Sequence, residues 1–351
     1  MTEKIKLAQG AGGQLMDKLI KEKILKYFGK NQGKAEVNLL NLDDSAVIDD
    51  IVFTTDSHTV HPIIFPGGDL GSLAVAGTIN DISVMGAKPV ALSAGFIVEE
   101  GLSLEVFEKI VNSMSNVAKN AGVPIVTGDT KVVEKGAIQE FMINTSGIGK
   151  RTSLLDKNIE IVKKYRRFNS RWLLDSNLKA GDKIILSGNI GEHGITLMSF
   201  REGYGFETKI KSDIAPVNGL MEKALSIGGV VSAKDPTRGG LANTVNEFSE
   251  KSNVGIILEE GKIPIPKGVK AACNMLGIDP LEIGNEGKVV LGVIKEKADE
   301  VLKEIKEHPL GKNAAIIGEA SKKVKGVVLE TIVGGRRNLQ KPLGDPVPRI
   351  C

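Results

Sequence analysis

The chain has 351 residues, of which 41% are hydrophobic, 25% charged and 4% aromatic. A chain of this length and composition can bury two cores, which excludes a disordered protein and a small disulfide-stapled scaffold. The longest stretch without Asp, Glu, Lys or Arg, residues 57–68, is far shorter than the ~20 apolar residues of a membrane helix, so we expect a soluble protein.

The charge distribution argues against a nucleic-acid partner. The net charge is only +3, and residues 150–171 alone carry eight basic and two acidic side chains. The basic excess is therefore one local patch rather than a surface built for phosphate backbones. The first residues lack the pattern of a signal peptide and two cysteines make no disulfide framework, so we expect a cytoplasmic protein with reduced thiols.

The apolar pattern predicts an α/β (α+β) fold in two domains. In the first domain, residues 1–150, it predicts strands at 37–42, 46–48, 51–55, 90–98, 124–127 and 141–148 and helices at 70–85 and 104–121. In the second, residues 181–333, it predicts strands at 183–188, 254–258, 288–294, 314–317 and 327–329 and helices at 194–200, 239–249, 269–275 and 298–307.

Residues 151–180 form a polar, basic connection between the domains, and two interpretations of it are open. A solvated loop is the simpler one. Tyr165, Phe168 and Trp172 among the basic residues would instead suit a docking surface for an acidic partner.

Residues 334–351 are predicted to form an extended tail. Pro342, Pro346 and Pro348 exclude a helix and a central strand. The tail carries Cys351, and an accessible thiol on a mobile arm is a candidate nucleophile or carrier. The other cysteine, Cys273, lies in an apolar helical stretch and is expected to be a core thiol.

Acidic residues with small neighbours recur in the first domain. They stand in Asp43-Asp44-Ser45, Thr55-Asp56-Ser57, Asn80-Asp81 and Gly128-Asp129-Thr130-Lys131, which we interpret as strand ends. Turn and capping chemistry explains any one of them. Together they favour a magnesium-nucleotide site, because Mg²⁺ binds between carboxylates and phosphate oxygens and one sheet brings its strand ends to one edge.

Two glycine-rich segments suit a close approach of the backbone to phosphate. Gln9-Gly10-Ala11-Gly12-Gly13-Gln14 precedes a helix predicted from Leu15, and Phe65-Pro66-Gly67-Gly68 precedes the helix that Asp69 would cap. Each segment offers backbone amides to an anion, and each is also compatible with an ordinary turn.

The second domain contributes two further motifs. Asp235-Pro236-Thr237-Arg238-Gly239-Gly240 places an acid, a hydroxyl and a guanidinium at a helix start, a set suited to phosphate, and its glycine pair has no evident packing reason. Asn285-Glu286-Gly287, taken alone, is typical of a turn. The histidines show no ligand spacing, and we assign none to a metal.

Together these motifs resemble a known family, the ATP-dependent enzymes related to aminoimidazole ribonucleotide synthetase. That family includes selenophosphate synthetase and thiamine-monophosphate kinase. The ending Pro348-Arg349-Ile350-Cys351 resembles that of the family branch that matures nickel–iron hydrogenases. The other branches share the ATP site but lack this tail. The resemblance spans nearly the whole chain.

The resemblance implies an architecture. It is an N-terminal mixed β-sheet with helices on one face, paired with a second copy across a two-fold axis, followed by a C-terminal α/β sandwich and the tail. We therefore expect a homodimer, in which edges of the sheets are buried.

The resemblance also implies a reaction and partners. HypF would load a carbamoyl group onto Cys351, and this chain would use ATP and Mg²⁺ to dehydrate it to a thiocyanate, releasing ADP and phosphate. The HypC–HypD iron complex would accept the cyanide.

By the same resemblance, site residues take roles. Asp43, Asp56, Asp81 and Asp129 would hold Mg²⁺ and phosphates; Lys131 would neutralise phosphate charge; Gly10, Gly12 and Gly13 would close over ATP; Asp235, Thr237 and Arg238 would line the phosphate side; and Glu286 would be the base for the amide protons.

Two other functions remain open at this point. One is the reaction of another ATP-using relative, although selenophosphate synthesis usually employs a reactive Cys near the N-terminus, and residues 9–14 contain none. The other is a non-catalytic scaffold that binds nucleotide and presents Cys351 to partners. Whether the tail rests inside or outside the cleft is equally open.

Overall fold

The computed structural model describes residues 4–201, 209–344, 347 and 350–351. Pro346, Pro348 and Arg349 of the predicted tail lie outside the described residues. The expected α/β class, with a sheet in each half of the chain, is confirmed. Of the helices that the structure describes, none combines the length and apolar character needed to cross a membrane.

The N-terminal half is built on a five-stranded mixed sheet. In chain order the strands are β1 (Ala46–Ile48), β2 (Ile51–His58), β3 (Ile64–Phe65), β4 (Gly68–Asp69), β5 (Lys88–Glu99), β6 (Ile125–Val133) and β7 (Phe141–Lys150). The sheet order is β1-β2-β7-β5-β6, with only the β5–β6 pair parallel, while β3 and β4 form a separate two-stranded ribbon. The helices are α1 (Gly13–Leu19), α2 (Leu25–Phe28), α3 (Leu70–Val84), α4 (Leu104–Ala121) and α5 (Ser153–Tyr165).

The two faces of this sheet differ. Strand β2 alternates, so that Val52, Thr54 and His58 are buried whereas Phe53 is 45% exposed. Helix α3 covers the buried face, and it is buried on nearly every side. Because side chains alternate along a strand, Phe53 points to the opposite face of the sheet. That face is exposed in a single chain.

The C-terminal half is built on a seven-stranded sheet of order β14-β13-β10-β12-β8-β11-β9. Its strands are β8 (Lys183–Leu186), β9 (Val230–Lys234), β10 (Gly255–Glu259), β11 (Val290–Val293), β12 (Ala315–Ser321), β13 (Val327–Glu330) and β14 (Arg336–Asn338). Its helices are α6 (Glu192–Phe200), α7 (Asn218–Ile227), α8 (Gly240–Ser252), α9 (Lys267–Leu276) and α10 (Ala298–Lys306). Consecutive residues of β8, Ile184 and Ile185, enter two different cores, with α8 on one side and α7 and α10 on the other, as a sandwich requires.

Several sequence predictions need correction. Residues 37–42 do not form a strand, because Asn38 caps a 3₁₀ turn, Leu39–Asn41, that ends with Leu42 in the left-handed region. Helix α7 and strands β9 and β14 were missed. Asp56 lies within β2, Asp129 within β6 and Asp81 within helix α3, so these acids do not mark strand ends.

The basic connection is neither a solvated loop nor a docking surface of aromatic residues. Residues 153–165 form helix α5, and Trp172 and Phe168 are 1% and 6% exposed in the core. Arg166 pairs with Asp182 at 2.6 Å. Because burial removes two of the three aromatic anchors from the surface, the docking hypothesis loses its basis.

Candidate active site

A pocket of about 220 Å³ collects acidic side chains from both halves of the chain. It is lined by Asp44, Thr54, Thr55, Asp56, Gly77, Asp81, Asp235, Thr237, Arg238, Glu286 and Cys351. These residues come from the segment before β1, from β2 and α3, from the loops after β9 and before β11, and from the tail after β14. The pocket is therefore a joint product of the two halves.

Helix α3 joins the two halves at this pocket. Asn80 donates from Nδ2 to the carbonyl oxygens of Ala215 and Glu286, both at 3.2 Å, and accepts from the Val217 N–H at 2.8 Å. The next residue, Asp81, faces the pocket, where Thr54 Oγ1 donates to its Oδ2 at 2.8 Å. One residue thus fixes the interface and its neighbour supplies a carboxylate.

The pocket gathers carboxyl groups that are largely shielded from solvent. Burial raises the pKa of Asp81 well above its ordinary value, and neighbouring carboxylates raise it further. Burial, followed by the charge of Asp44, raises the pKa of Asp235 to about 8. Burial and then Asp235 likewise raise the pKa of Glu286. Carboxylates held this way favour protons or a cation, so the donor set fits a hard divalent cation.

Within the part of the chain that the structure describes, no three His, Cys, Asp or Glu side chains are close enough to form a preassembled metal site. Part of the acidic charge already has a partner, because Lys234 Nζ contacts Asp44 Oδ1 and lies 3.3 Å from Glu247 Oε2. Magnesium remains a proposal.

Glu286 is buried beside the acidic pocket. It is 2% exposed, and its Oε1 has no hydrogen-bond partner among the described residues. Its N–H donates to Asp213 Oδ1 at 3.1 Å, and Lys288 Nζ lies 2.8 Å from Asp213 Oδ2. A Cβ at Gly287 would lie 2.0 Å from the Asp213 carbonyl oxygen. The glycine therefore permits the close approach that fixes Glu286.

A second cavity, of about 460 Å³, adjoins the acidic pocket and shares Asp44, Asp235, Thr237 and Arg238 with it. Gly12 and Gly13 line this cavity at positive φ, +79° and +73°. Its basic residues are Lys21, Lys234, Arg238, Lys251 and Lys341. Small residues and cations beside the carboxylates make it suitable for a polyphosphate.

The glycine-rich segment is bonded to the tail. The Gln14 N–H donates to the Pro342 carbonyl oxygen at 2.9 Å, and Gln14 Nε2 donates to that of Lys341 at 2.7 Å. A Cβ at Gly13 would lie 2.1 Å from the Pro342 oxygen. Only glycine fits there, and this contact explains why the glycine-rich segment has a glycine at position 13.

The end of the tail lies inside the site. Cys351 lines the acidic pocket, and its main-chain oxygen accepts from the Thr59 N–H at 3.1 Å. The charge of Cys351 is the largest influence that raises the pKa of Arg238. The end of the tail therefore rests inside the cleft. Cys273, by contrast, is buried in α9, and burial raises its thiol pKa to about 11.

The structure brings together most of the residues that the sequence nominated. Asp56, Asp81, Asp235, Thr237, Arg238, Glu286 and Cys351 line the acidic pocket, and Gly12 and Gly13 line the adjoining cavity. Gly10, Asp43, Asp129 and Lys131 line neither. The glycine pair Gly239-Gly240, for which the sequence offered no packing reason, has one: both have positive φ, and a Cβ at Gly240 would lie 2.5 Å from the Ile283 oxygen.

The geometry explains why Asp43, Asp129 and Lys131 lie outside the two cavities. Asp43 turns toward Asp175, whose N–H donates to it at 3.2 Å, whereas the adjacent Asp44 faces the pocket. Asp129 is in register with Gly95, which is in register with Asn144 opposite Ser57. Asp129 therefore shares the open face of the sheet with Ser57, one residue out of phase with Asp56. Lys131, two residues along, lies on that same open face.

A larger cavity, of about 840 Å³, lies between α4 and the strands β5 and β6. Its lining is mostly apolar, from residues such as Phe96, Met114 and Ile125. Because catalytic sites combine several converging polar groups, the smaller acidic pocket is the better candidate.

Each half of the chain matches a known family of domains. The model of the AIR synthase related protein N-terminal domain matches residues 42–150, and that of the C-terminal domain matches residues 179–330. A putative hydrogenase expression/formation protein from Methanocaldococcus jannaschii is 51% identical over 99% of this chain and 100% of its own. Carbamoyl dehydratase HypE from Escherichia coli is 40% identical over 99% of both chains.

The chain belongs to the HypE family. A HypE structure solved as the HypE–HypF complex has a TM-score of 0.82 and 45% identity, covering 92% of this chain and 99% of the other. A HypE structure solved in complex with ATP has a TM-score of 0.78 and 38% identity, covering 99% of this chain and 100% of the other. Membership of the HypE family thus applies to both halves of the chain and to its tail.

Proposed function

We propose that this chain is an ATP-dependent carbamoyl dehydratase that converts an S-carbamoyl group on Cys351 to a thiocyanate. The observation that carries the proposal is the position of Cys351, which lines one pocket with Arg238, Glu286 and a cluster of aspartates. The names of the HypE relatives, a carbamoyl dehydratase and an ATP complex, support it.

The reaction proceeds in two steps whose atoms balance. First the carbamoyl oxygen attacks the γ-phosphorus of ATP and ADP leaves, while one amide proton passes to Glu286. Then the second N–H proton leaves, the C–O bond breaks with its electron pair going to phosphate, and the C≡N bond forms. Phosphorylation converts a poor leaving group into a good one, and phosphate carries away the second proton.

The chain's own residues have distinct tasks in this reaction. Arg238, held by the negative charges around it, stabilises charge that develops on the transferred phosphoryl group. Glu286 is a strong base once it has lost its proton, because its buried position raises its pKa. Asp44, Asp56, Asp81 and Asp235 would hold Mg²⁺, which supplies charge neutralisation for the nucleotide.

The partners follow from the reaction. The HypE–HypF complex among the structural relatives supports HypF as the donor of the carbamoyl group. The thiocyanate product requires an acceptor of cyanide, and we propose the HypC–HypD iron complex, with nickel–iron hydrogenase as the destination.

The open face of the N-terminal sheet supports a homodimer. Phe53 and Ile148 are direct neighbours on that face and are 45% and 40% exposed. Exposed neighbouring apolar side chains on a sheet favour burial against another surface, and a second copy of the chain offers the same face. Asp129 and Lys131, on the same face, would then lie at the interface between the copies.

The test is the mass of the Cys351 peptide. The chain is incubated with HypF, carbamoyl phosphate and Mg-ATP, and the expected result is a carbamoyl adduct that then loses one water. Cys351→Ala should give no adduct, whereas Cys273→Ala, which changes the core thiol, should behave as wild type. A carbamoyl adduct that never loses water would contradict the dehydratase and favour a carrier.

A further inference from the structure

The last described residues of the tail are held by a buried histidine in α6. His193 is fully buried, and its Nε2 lies 2.8 Å from the carbonyl oxygen of Ile350. Because a carbonyl only accepts, Nε2 carries the hydrogen and Nδ1 accepts from the Ser212 hydroxyl at 2.7 Å. Burial lowers the pKa of His193, which agrees with this neutral form.

The Phe65-Pro66-Gly67 segment fixes the position of Ser212. The Ser212 N–H donates to the Pro66 carbonyl oxygen at 2.9 Å. Gly67 has φ +90°, and a Cβ there would lie 2.7 Å from both the nitrogen and the oxygen of Ser212. The Phe65 ring meets the His193 ring edge to face, with centroids 5.6 Å apart. From its sequence, this segment was compatible with anion binding and with an ordinary turn. In the structure it contacts both Ser212 and His193.

The side chain of Ile350 occupies a matching recess. It is 1% exposed, and a Cβ at Gly284 would lie 2.9 Å from its Cδ1. The next residue is held from the other half of the molecule, since the Thr59 N–H donates to the Cys351 main-chain oxygen. Two consecutive tail residues are therefore bonded to opposite walls of the cleft.

We propose that His193 is a positioning residue that docks the tail, so that the Cys351 side chain faces the acidic pocket. Pro66 and Gly67 act through Ser212, which orients the imidazole toward the Ile350 oxygen. The consequence for catalysis rests on the proposed dehydratase function, whereas docking itself does not.

Thiol labelling of the whole chain tests the docking. The wild type, His193→Leu, His193→Gln and Ser212→Ala are treated with iodoacetamide without nucleotide or partner, and the labelling rates of Cys351 and Cys273 are followed by peptide mass. His193→Leu removes the donor and should raise the Cys351 rate on the order of tenfold, the effect of one buried hydrogen bond. His193→Gln keeps an amide donor near Nε2 and should restore most of the protection.

Cys273 reports on the integrity of the fold, because it lies in the core of the same half. A purely structural role for His193 would raise both labelling rates together, and would overturn the proposal. So would an unchanged Cys351 rate in His193→Leu, or a His193→Gln variant that labels as fast as His193→Leu. Ser212→Ala deletes only a hydroxyl and should raise the Cys351 rate by a smaller factor, with Cys273 unchanged.

Water loss from carbamoylated Cys351 separates docking from catalysis. In single turnover, His193→Leu should slow water loss, by a smaller factor than its effect on labelling because most of the wild-type tail is docked, and His193→Gln should recover it. If the labelling rates of the wild type and its variants follow the expected pattern but the carbamoylated wild type loses no water, the dehydratase proposal is wrong and the docking role stands.

Discussion

Glu286 combines a buried carboxylate with an oxygen that lacks a partner among the described residues. Since its pKa is raised in the folded chain, folding favours its protonated form. Stability therefore falls as the pH rises from the ordinary Glu pKa toward the folded one, because the unfolded chain releases the proton first.

Glu286→Gln separates the chemistry from the fold. We expect water loss from carbamoylated Cys351 to slow at least about a hundredfold, since a general base is removed, while nucleotide binding stays close to wild type. The variant should be more stable than wild type at neutral pH, measured by thermal unfolding. Glu282→Gln, on the adjacent turn, is the matched control and should keep its rate.

Glu247 on α8 has the opposite electrostatic character. Burial acts to raise its pKa, but the charges of Lys234, Lys251 and Lys341 outweigh burial and lower it to about 2. A group whose folded pKa is depressed contributes stability above its unfolded pKa and loses it as the pH falls toward the folded value.

Glu247→Gln should therefore lower the free energy of unfolding at pH 7 by about 3 kcal/mol, the value of the pKa shift. The difference from wild type should shrink between about pH 4.5 and pH 2. Urea unfolding across this range checks both. Glu250→Gln, on the same helix and 54% exposed, should differ from wild type by less than about 1 kcal/mol; an equal loss there would contradict the assignment.

At the scale of elements, the glycine-rich segment before α1 is set by its contact with the tail. Gly13→Ala places a Cβ against the Pro342 oxygen and adds backbone strain at φ +73°. We expect ATP affinity to drop about tenfold or more, since the loop must leave its position over the cavity. Isothermal titration with Mg-ATP measures this.

Gly33→Ala is the control for strain alone. Gly33 also has positive φ, but a Cβ there meets nothing within 4 Å. Its substitution should cost stability without changing ATP affinity. Equal losses of affinity in the two variants would show that the contact with the tail is not the cause.

The sequence predicted elements better than it predicted which side chains meet. The periodicities of α3 and α4 gave their bounds within a residue or two, because α3 is buried over nearly its whole length and α4 buries one apolar stripe, Ile110, Met114 and Ala118. Strand β6 runs to Val133 rather than residue 127, since its pairing with β5 is a long-range contact that polar residues at a sheet edge do not reveal.

The choice between Asp43 and Asp44 was beyond any local pattern. Adjacent residues face different neighbours, and the difference depends on Lys234 and Asp175, far along the chain. Asp129 lies outside the acidic pocket for a related reason, because the alternation of a strand gives two faces without saying which one meets the site. The proximity of Asp56 and Asp81, by contrast, follows from the packing of α3 against β2 alone.

At the scale of the whole molecule, the open sheet face predicts the assembly. Phe53→Glu places a charge among apolar neighbours and should raise the dimer dissociation constant at least about thirtyfold, the cost of a 2 kcal/mol hot spot. Analytical ultracentrifugation checks this. Leu104→Glu, at a site 77% exposed on α4, should sediment as wild type. A wild type that remains monomeric at micromolar concentration would refute the assembly.

The bond between Gln14 and the tail joins residues 327 positions apart. A ribosome makes Gln14 327 residues before Lys341, and domains fold in order as they emerge. During translation the glycine-rich segment is therefore made before the tail residues to which it bonds. A chain that is still being made can therefore have both sheets folded while its glycine-rich segment is not yet bonded to the tail.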